Sequence, residues 1–137
     1  MTDTSKRKSM RKRNRRRLGG ATVEFALAVP IIFAMFFGAV ELTRLNFIRQ
    51  SASNACYEGA RKVIVPGGTA SDANTAATTL LTNLGCGTGA TANTTTTTTT
   101  VTITVTIPVA KNSWGVSWFF PNTNVVQTLT LSKETLN

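Results

Sequence analysis

The stretch 19–40 reads GGATVEFALAVPIIFAMFFGAV and contains a single ionisable side chain, that of Glu24. An α-helix needs about 20 mostly apolar residues to cross the hydrocarbon core of a bilayer. The stretch has that length, and from Phe25 to Val40 it holds no charged or strongly polar group. It therefore predicts one transmembrane helix, in which Pro30 is tolerated as a gentle kink.

Basic residues are concentrated directly before this helix. Residues 1–18 contain nine of the fifteen Lys and Arg residues against one acidic residue, whereas residues 19–137 contain six basic and five acidic residues. Such a block is typical of a nucleic-acid arm, a contact with anionic lipid or a topology signal. Because the block precedes an apolar helix and has no aromatic residue for base stacking, we expect lipid contact and topology, with no nucleic-acid partner.

The charge distribution also predicts an orientation. Positively charged flanks stay in the cytoplasm, so we expect a cytoplasmic N-terminus and an outward-facing chain from about residue 41 onward. A cleaved secretory signal is the rival interpretation. No A-x-A site follows the apolar run, and the polar sequence beyond it continues with helical spacing, which favours a retained anchor.

The chain offers little for catalysis. It has no His, which removes the commonest general base and the commonest metal ligand. Its two cysteines, Cys56 and Cys86, do not form a C-x-x-C pair, and neither a G-x-S-x-G motif nor a P-loop is present. We therefore expect no enzyme, no metal, no cofactor and no small-molecule substrate.

Beyond the membrane segment, apolar and small residues recur at three- and four-residue spacing. This stripe predicts that the helix continues to about residue 63 and ends at Pro66. Its small members permit close approach of another backbone, either in the chain's own domain or in a neighbouring subunit. The stripe consists of Leu42, Leu45, Ile48, Ala52, Ala55 and Gly59.

The remaining sequence predicts a short helix and two strands. Residues 71–84 read as a helix capped by Ser71 or Asp72, followed by a loop at 85–89. Alternating apolar residues at 101–107 and 125–131 predict an antiparallel pair of strands against the long helix. The seven-residue Thr tract that precedes the first strand is low-complexity.

Two features leave alternatives open. In an oxidising outer compartment, Cys56 and Cys86 either form a disulfide between the long helix and the loop or stay as free thiols. An aromatic loop at 114–120 is suited to the membrane interface, the domain core or a partner protein. Its aromatic residues are Trp114, Trp118, Phe119 and Phe120.

The sequence RLGGATVEF at 17–25 resembles the processing site of type IV pilin-like proteins, in the variant used by Flp/Tad systems. Together with GAVELTR at 38–44 and ACYEGAR at 55–61, it resembles the TadE-like family over about residues 16–65. The C-terminal half resembles the family only in its general character, as a short β-rich domain.

The resemblance implies cleavage by a prepilin peptidase between Gly19 and Gly20, with Glu24 and Phe25 at mature positions five and six. The new α-amine of Gly20 would then pair with Glu24 of its own chain or of a neighbour. Without cleavage, Glu24 lies in the first helical turn, where the helix dipole and lipid headgroups favour it.

The resulting prediction is an α+β protein in four segments. These are a basic cytoplasmic leader (1–19), a transmembrane helix (20–41), an amphipathic extension (42–65) and a small periplasmic or extracytoplasmic domain (66–137). The resemblance implies a minor pseudopilin-like component of a Tad-type pilus or secretion assembly in the bacterial cytoplasmic (inner) membrane. Its partners would be the lipid bilayer, a prepilin peptidase and other Tad-type pilin, pseudopilin or assembly proteins. The alternative is an uncleaved single-pass envelope protein with a structural role.

Overall fold

The computed structural model describes residues 6–113 and 122–133, with side chains from residue 19 onward. A long helix is followed by a short helix and a three-stranded antiparallel sheet, which confirms the predicted α+β class. The elements are α1 (Lys6–Ile64), α2 (Ala70–Asn83), β1 (Thr91–Thr96), β2 (Thr100–Pro108), α3 (Val109–Asn112) and β3 (Asn124–Ser132).

The chain divides into two compact units, Met1–Val40 and Glu41–Asn137, and α1 contributes to both. In the first unit, the described side chains are mostly apolar and exposed to solvent. An 18-residue window of α1 within Gly19–Ile64 has a mean hydropathy of 2.2, and none of that window is buried. By length and composition, α1 could therefore span a membrane.

The second unit, called the head below, is built around strand β2. Alternate residues of β2 are fully buried and face α1 and α2 across the core. The opposite residues of β2 are threonines that are half exposed. Such alternation is expected of a strand in a sheet that has one face packed on a core and the other exposed to solvent. The buried residues of β2 are Val101, Ile103, Val105 and Ile107.

The sheet has the order β1-β2-β3, and both pairs are antiparallel. The predicted pairing of 101–107 with 125–131 is confirmed, with Val101 opposite Leu131. The prediction of only two strands is wrong, because β1 adds a third. Thr94 of β1 occupies a core-facing position, and its hydroxyl is 2.7 Å from the side-chain oxygen of Asn74 on α2. That hydrogen bond allows a polar side chain to be buried at a core-facing position.

Helix α2 begins with a capping box. The Thr69 hydroxyl accepts a hydrogen bond of 3.2 Å from the backbone N–H of Asp72, whose carboxylate accepts one of 3.1 Å from the backbone N–H of Thr69. Thr69 is therefore the N-cap, and the predicted caps Ser71 and Asp72 lie inside the first turn. Hydrogen bonds from the Thr69 side chain and backbone lower the pKa of the Asp72 carboxyl.

Candidate functional site

The predicted processing segment lies on the surface of α1. Gly19, Gly20, Glu24 and Phe25 are all exposed, and a Cβ added to either glycine would meet no atom within 4 Å. Gly20 and Glu24 are four residues apart, so the helix places them one turn apart on the same face. No described side chain forms an ion pair with Glu24. The segment is thus sterically open, with a carboxylate one turn beyond the two glycines.

Large apolar side chains cover much of the surface of α1 between Val23 and Val40. Met35 is 72% exposed and Phe25 is 68% exposed. The rings of Phe33 and Phe37 stack with their centroids 6.2 Å apart, yet both remain more than half exposed. An exposed apolar surface of this extent is typical of a site of contact with lipid or with another protein. Its exposed members are Val23, Phe25, Leu27, Ile31, Ile32, Phe33, Met35, Phe36, Phe37 and Val40.

The predicted packing stripe faces the head's own core. Ile48, Ala52, Ala55 and Gly59 are buried, and Leu45 is partly buried against the same cluster. The remaining member of the stripe, Leu42, is 62% exposed. The face that α1 buries also includes residues that the stripe did not contain, namely Glu41, Ser51, Cys56, Ala60 and Val63.

Gly59 marks the closest approach of α1 to its neighbours. A Cβ at this position would lie 2.5 Å from Cδ1 of Ile103 on β2 and 2.9 Å from the backbone oxygen of Ala73 on α2. Real Cβ atoms do not come that close to other heavy atoms. Three elements of the head therefore meet at a position where only glycine fits.

Two charged residues of α1, Glu41 and Arg44, form hydrogen bonds at the end of the head that lies away from Gly59. The Ser113 hydroxyl donates a hydrogen bond to the Glu41 carboxylate, which is buried. Arg44 donates from Nε to the backbone oxygen of Asn112 at 3.1 Å, and from Nη2 to the backbone oxygen of Gly85 at 2.8 Å. We call Glu41, Arg44, Asn112 and Ser113 the polar clasp. It joins α1 to the end of α3 and to the loop after α2.

Asn112 is the buried centre of the clasp. Its amide nitrogen donates to the backbone oxygens of Thr88 and Pro108, each at 2.9 Å, and its side-chain oxygen accepts from the Thr88 N–H at 3.1 Å. The side-chain polar atoms of the buried amide thus have partners, which makes its burial favourable. The sequence drew attention to 38–44 as a motif but gave no sign of partners about 70 positions away.

The two cysteines are free thiols buried in the head. The Cys56 thiol donates to the backbone oxygen of Gln127 at 3.4 Å, and the Cys86 thiol donates to that of Leu81 at 3.7 Å. Burial raises the pKa of the Cys56 thiol, although hydrogen bonding with the backbone of Val105 opposes that shift. The Cys56–Cys86 disulfide that the sequence left open as an alternative stays a prediction.

A shallow, open groove of about 520 Å³ lies between the outer sides of α1 and α2. Tyr57 and Leu80 supply its apolar surface, and Asn54, Glu58 and Asn83 supply its polar groups. Glu58 pairs with Lys62 at 3.7 Å. Within the described residues, no three His, Cys, Asp or Glu side chains are grouped as metal ligands would be.

The aromatic loop predicted at 114–120, with Trp114, Trp118, Phe119 and Phe120, lies outside the described residues. Its expected contact with the membrane interface, the core or a partner stays a prediction.

Residues 19–61 match the family model described as TadE-like protein. The match runs from the first glycine of the processing segment to the end of the motif around Gly59, and it confirms the resemblance seen in the sequence. No significant match was found among curated proteins or solved structures. The matched residues include the exposed apolar part of α1, which could span a membrane by its length and composition.

Proposed function

We propose that this chain, with its TadE-like segment, is a minor pseudopilin-like component of a Tad-type pilus or secretion assembly, processed by a prepilin peptidase. The observation that carries the proposal is where the family match begins. It starts at Gly19, where the basic leader ends and the exposed apolar helix begins. A leader, a small-residue junction and an apolar helix in this order are what a processed membrane subunit needs.

The first step is insertion into the bacterial cytoplasmic membrane. The nine basic residues of the leader hold the N-terminus in the cytoplasm. On insertion, lipid replaces the water around the exposed apolar residues of α1. This lowers the free energy by about 25 cal/mol per Å² of apolar surface covered. The head, which carries little net charge, is then on the outer side.

The second step is hydrolysis of the peptide bond between Gly19 and Gly20. Water adds across the bond, which leaves a carboxylate on Gly19 and an amine on Gly20. Glycine is about 1 kcal/mol less favourable than alanine in a helix interior, so two adjacent glycines weaken α1 at this junction and help it to open for a protease. The absence of side chains there also leaves the backbone accessible.

Cleavage then gives Glu24 a partner. The new ammonium group of Gly20 lies one helical turn from the Glu24 carboxylate, in the same chain or in an adjacent one. A carboxylate close to the hydrocarbon core is costly when unpaired, so the pairing stabilises the processed form in the membrane. Loss of the charged leader also allows the apolar helices of several subunits to associate.

The test is the mass of the intact protein purified from its native membrane. Loss of residues 1–19, which leaves Gly20 as the first residue, is the expected result. Gly19→Leu should retain the leader, because it places a bulky side chain beside the scissile bond. Gly38→Leu is the matched control, since position 38 is equally open on α1 and lies far from the junction.

The alternative function is that of an uncleaved single-pass envelope protein with a structural role. The continuity of α1 through Gly19 and Gly20 is compatible with it, because the junction is helical and not already unwound. A leader that stays intact in cells with an active prepilin peptidase would contradict processing and support this alternative.

A further inference from the structure

The outer edges of the sheet have no protection among the described residues. Strand β2 is central, and no described strand pairs with the free edge of β1 or of β3. Neither TANTTT in β1 nor NVVQTLTLS in β3 contains a charged residue or a proline. Soluble proteins usually block such edges with lysine, proline or a bulge, because unpaired N–H and C=O groups recruit other strands.

The topology decides which strand fits which edge. β1 and β3 are both antiparallel to β2, so they run in the same direction. A second copy displaced sideways without rotation therefore brings its β1 beside β3 in a parallel arrangement. Repetition of this contact gives an open row of copies, as head-to-tail contacts do when they do not close into a ring.

Pairing between identical edges requires a two-fold rotation between the copies. Two β3 strands joined in antiparallel fashion would reverse one head relative to the other. Subunits inserted in one membrane with the same topology have the same polarity. This step rests on the proposed function, because it requires a common membrane orientation.

The side chains at the two edges are compatible. Leu129 and Leu131 on the core side of β3 are only partly buried, so an added strand would cover their exposed parts. On the other side, Thr128 and Thr130 extend a neutral threonine surface, and their hydroxyls lie 3.1 Å and 3.0 Å from those of Thr104 and Thr102. β1 continues this neutral surface, so no like charges oppose each other at the contact.

We infer that the heads of neighbouring copies join by strand addition, with β3 of one copy paired in parallel with β1 of the next. The contact makes one continuous sheet across the row. Copies would then be joined by main-chain hydrogen bonds outside the membrane as well as by the association of their helices inside it.

Cysteine crosslinking of the full-length chain in its native membrane tests this inference. Thr95→Cys on β1 is combined in turn with Val126→Cys, Thr128→Cys and Thr130→Cys on β3, because the register between copies is not fixed by topology. Positions paired across neighbouring strands lie within the Cα separation that a disulfide allows. At least one double variant should give a ladder of dimers, trimers and larger species, and each single variant should give none.

A lysine scan provides the matched control. Thr128→Lys on the edge strand, in the crosslinking background that does not use position 128, should abolish the ladder. Thr104→Lys on the central strand, directly opposite in register, should leave it intact. Dimers from a single β3 cysteine, or no ladder from any double variant, would overturn the inference. The mass of the mature N-terminus, read in the same samples, reports separately on the proposed processing.

Discussion

The Ser113 hydroxyl donates a hydrogen bond of 2.5 Å to the carboxylate of Glu41, which lies 72 positions earlier in the chain. Glu41 is the first residue of the head, and only 5% of its surface is exposed. The bond therefore fixes the first turn of α1 in the head to the segment that follows β2. Arg44, one turn beyond Glu41, donates two further hydrogen bonds to backbone oxygens at the same end of the head.

Glu41→Ala should lower the free energy of unfolding by about 1–3 kcal/mol, because the Ser113 hydroxyl loses its charged acceptor. Urea denaturation of the purified protein in detergent measures this. Glu58→Ala on the same helix is the control. It removes only an exposed ion pair with Lys62, which should change stability by less than about 1 kcal/mol. Equal losses in the two variants would show that the clasp does not stabilise the head.

Gly59→Ala should destabilise the head by about 1–3 kcal/mol, since the added methyl group meets Ile103 and the backbone of Ala73. The effect is opposite to that of helix propensity, which favours alanine by about 1 kcal/mol. Thermal unfolding followed by circular dichroism distinguishes the two. Gly38→Ala, where the methyl group meets nothing, should leave the head's melting temperature unchanged. A more stable Gly59→Ala variant would refute the close contact.

The buried Cys56 thiol should make stability fall at alkaline pH. Its pKa in the folded head is raised above the ordinary value of 9.0, so the unfolded chain loses this proton first. The stabilising contribution is therefore complete below about pH 9 and is lost as the pH rises through the folded-state pKa. The difference in unfolding free energy between the natural protein and Cys56→Ala should shrink over that range. A constant difference would contradict the assignment.

Thiol labelling tests the redox state of Cys56 and Cys86 directly. We expect no reaction with a maleimide in the folded protein, because both side chains are buried, and reaction of both after denaturation without a reductant. Labelling that requires prior reduction would instead indicate a disulfide between the two cysteines.

Thr69→Ala should destabilise the head by about 1 kcal/mol through loss of the N-cap of α2, and Thr69→Ser should restore it. Unfolding in urea measures both variants. If serine failed to restore stability, the methyl group and not the capping hydroxyl would be the source of the effect.

Asp72, in the same capping box, should contribute to the stability of the head in a way that is lost in acid. Its pKa is lowered in the folded head, so this contribution is present above the ordinary value of 3.8 and is lost as the pH falls through the folded-state pKa. The stability difference between the natural protein and Asp72→Asn should therefore disappear in acid. A stability difference that persists in acid would mean that the contribution of Asp72 does not depend on the charge of its carboxylate.

The long helix and strands β2 and β3 could be predicted because their patterns are regular. An apolar run of membrane length and strict alternation each correspond to one backbone geometry. Strand β1 escaped prediction because Thr94 faces the core through its hydrogen bond to Asn74, and no apolar alternation reveals such a position. The N-cap was misplaced by two or three residues because Thr69, Ser71 and Asp72 are all good capping residues.

The polar clasp could not be predicted at all. Glu41 and Arg44 look like exposed residues at the end of a membrane helix, and the sequence does not show that α3 lies beside them. Gly59 could be recognised as a small residue on the packing face, but the distance to Ile103 depends on how the sheet meets the helix.

The small side chains on the core face of α1 have a consequence for biosynthesis. The ribosome makes α1 before any of the strands that cover it, so this face stays uncovered while the rest of the head is synthesised. Ala52, Ala55, Gly59 and Ala60 expose little apolar area during that interval, whereas a face of leucines would invite aggregation or capture by chaperones. The nascent helix can therefore stay uncovered until β2 and then β3 are synthesised and complete the core.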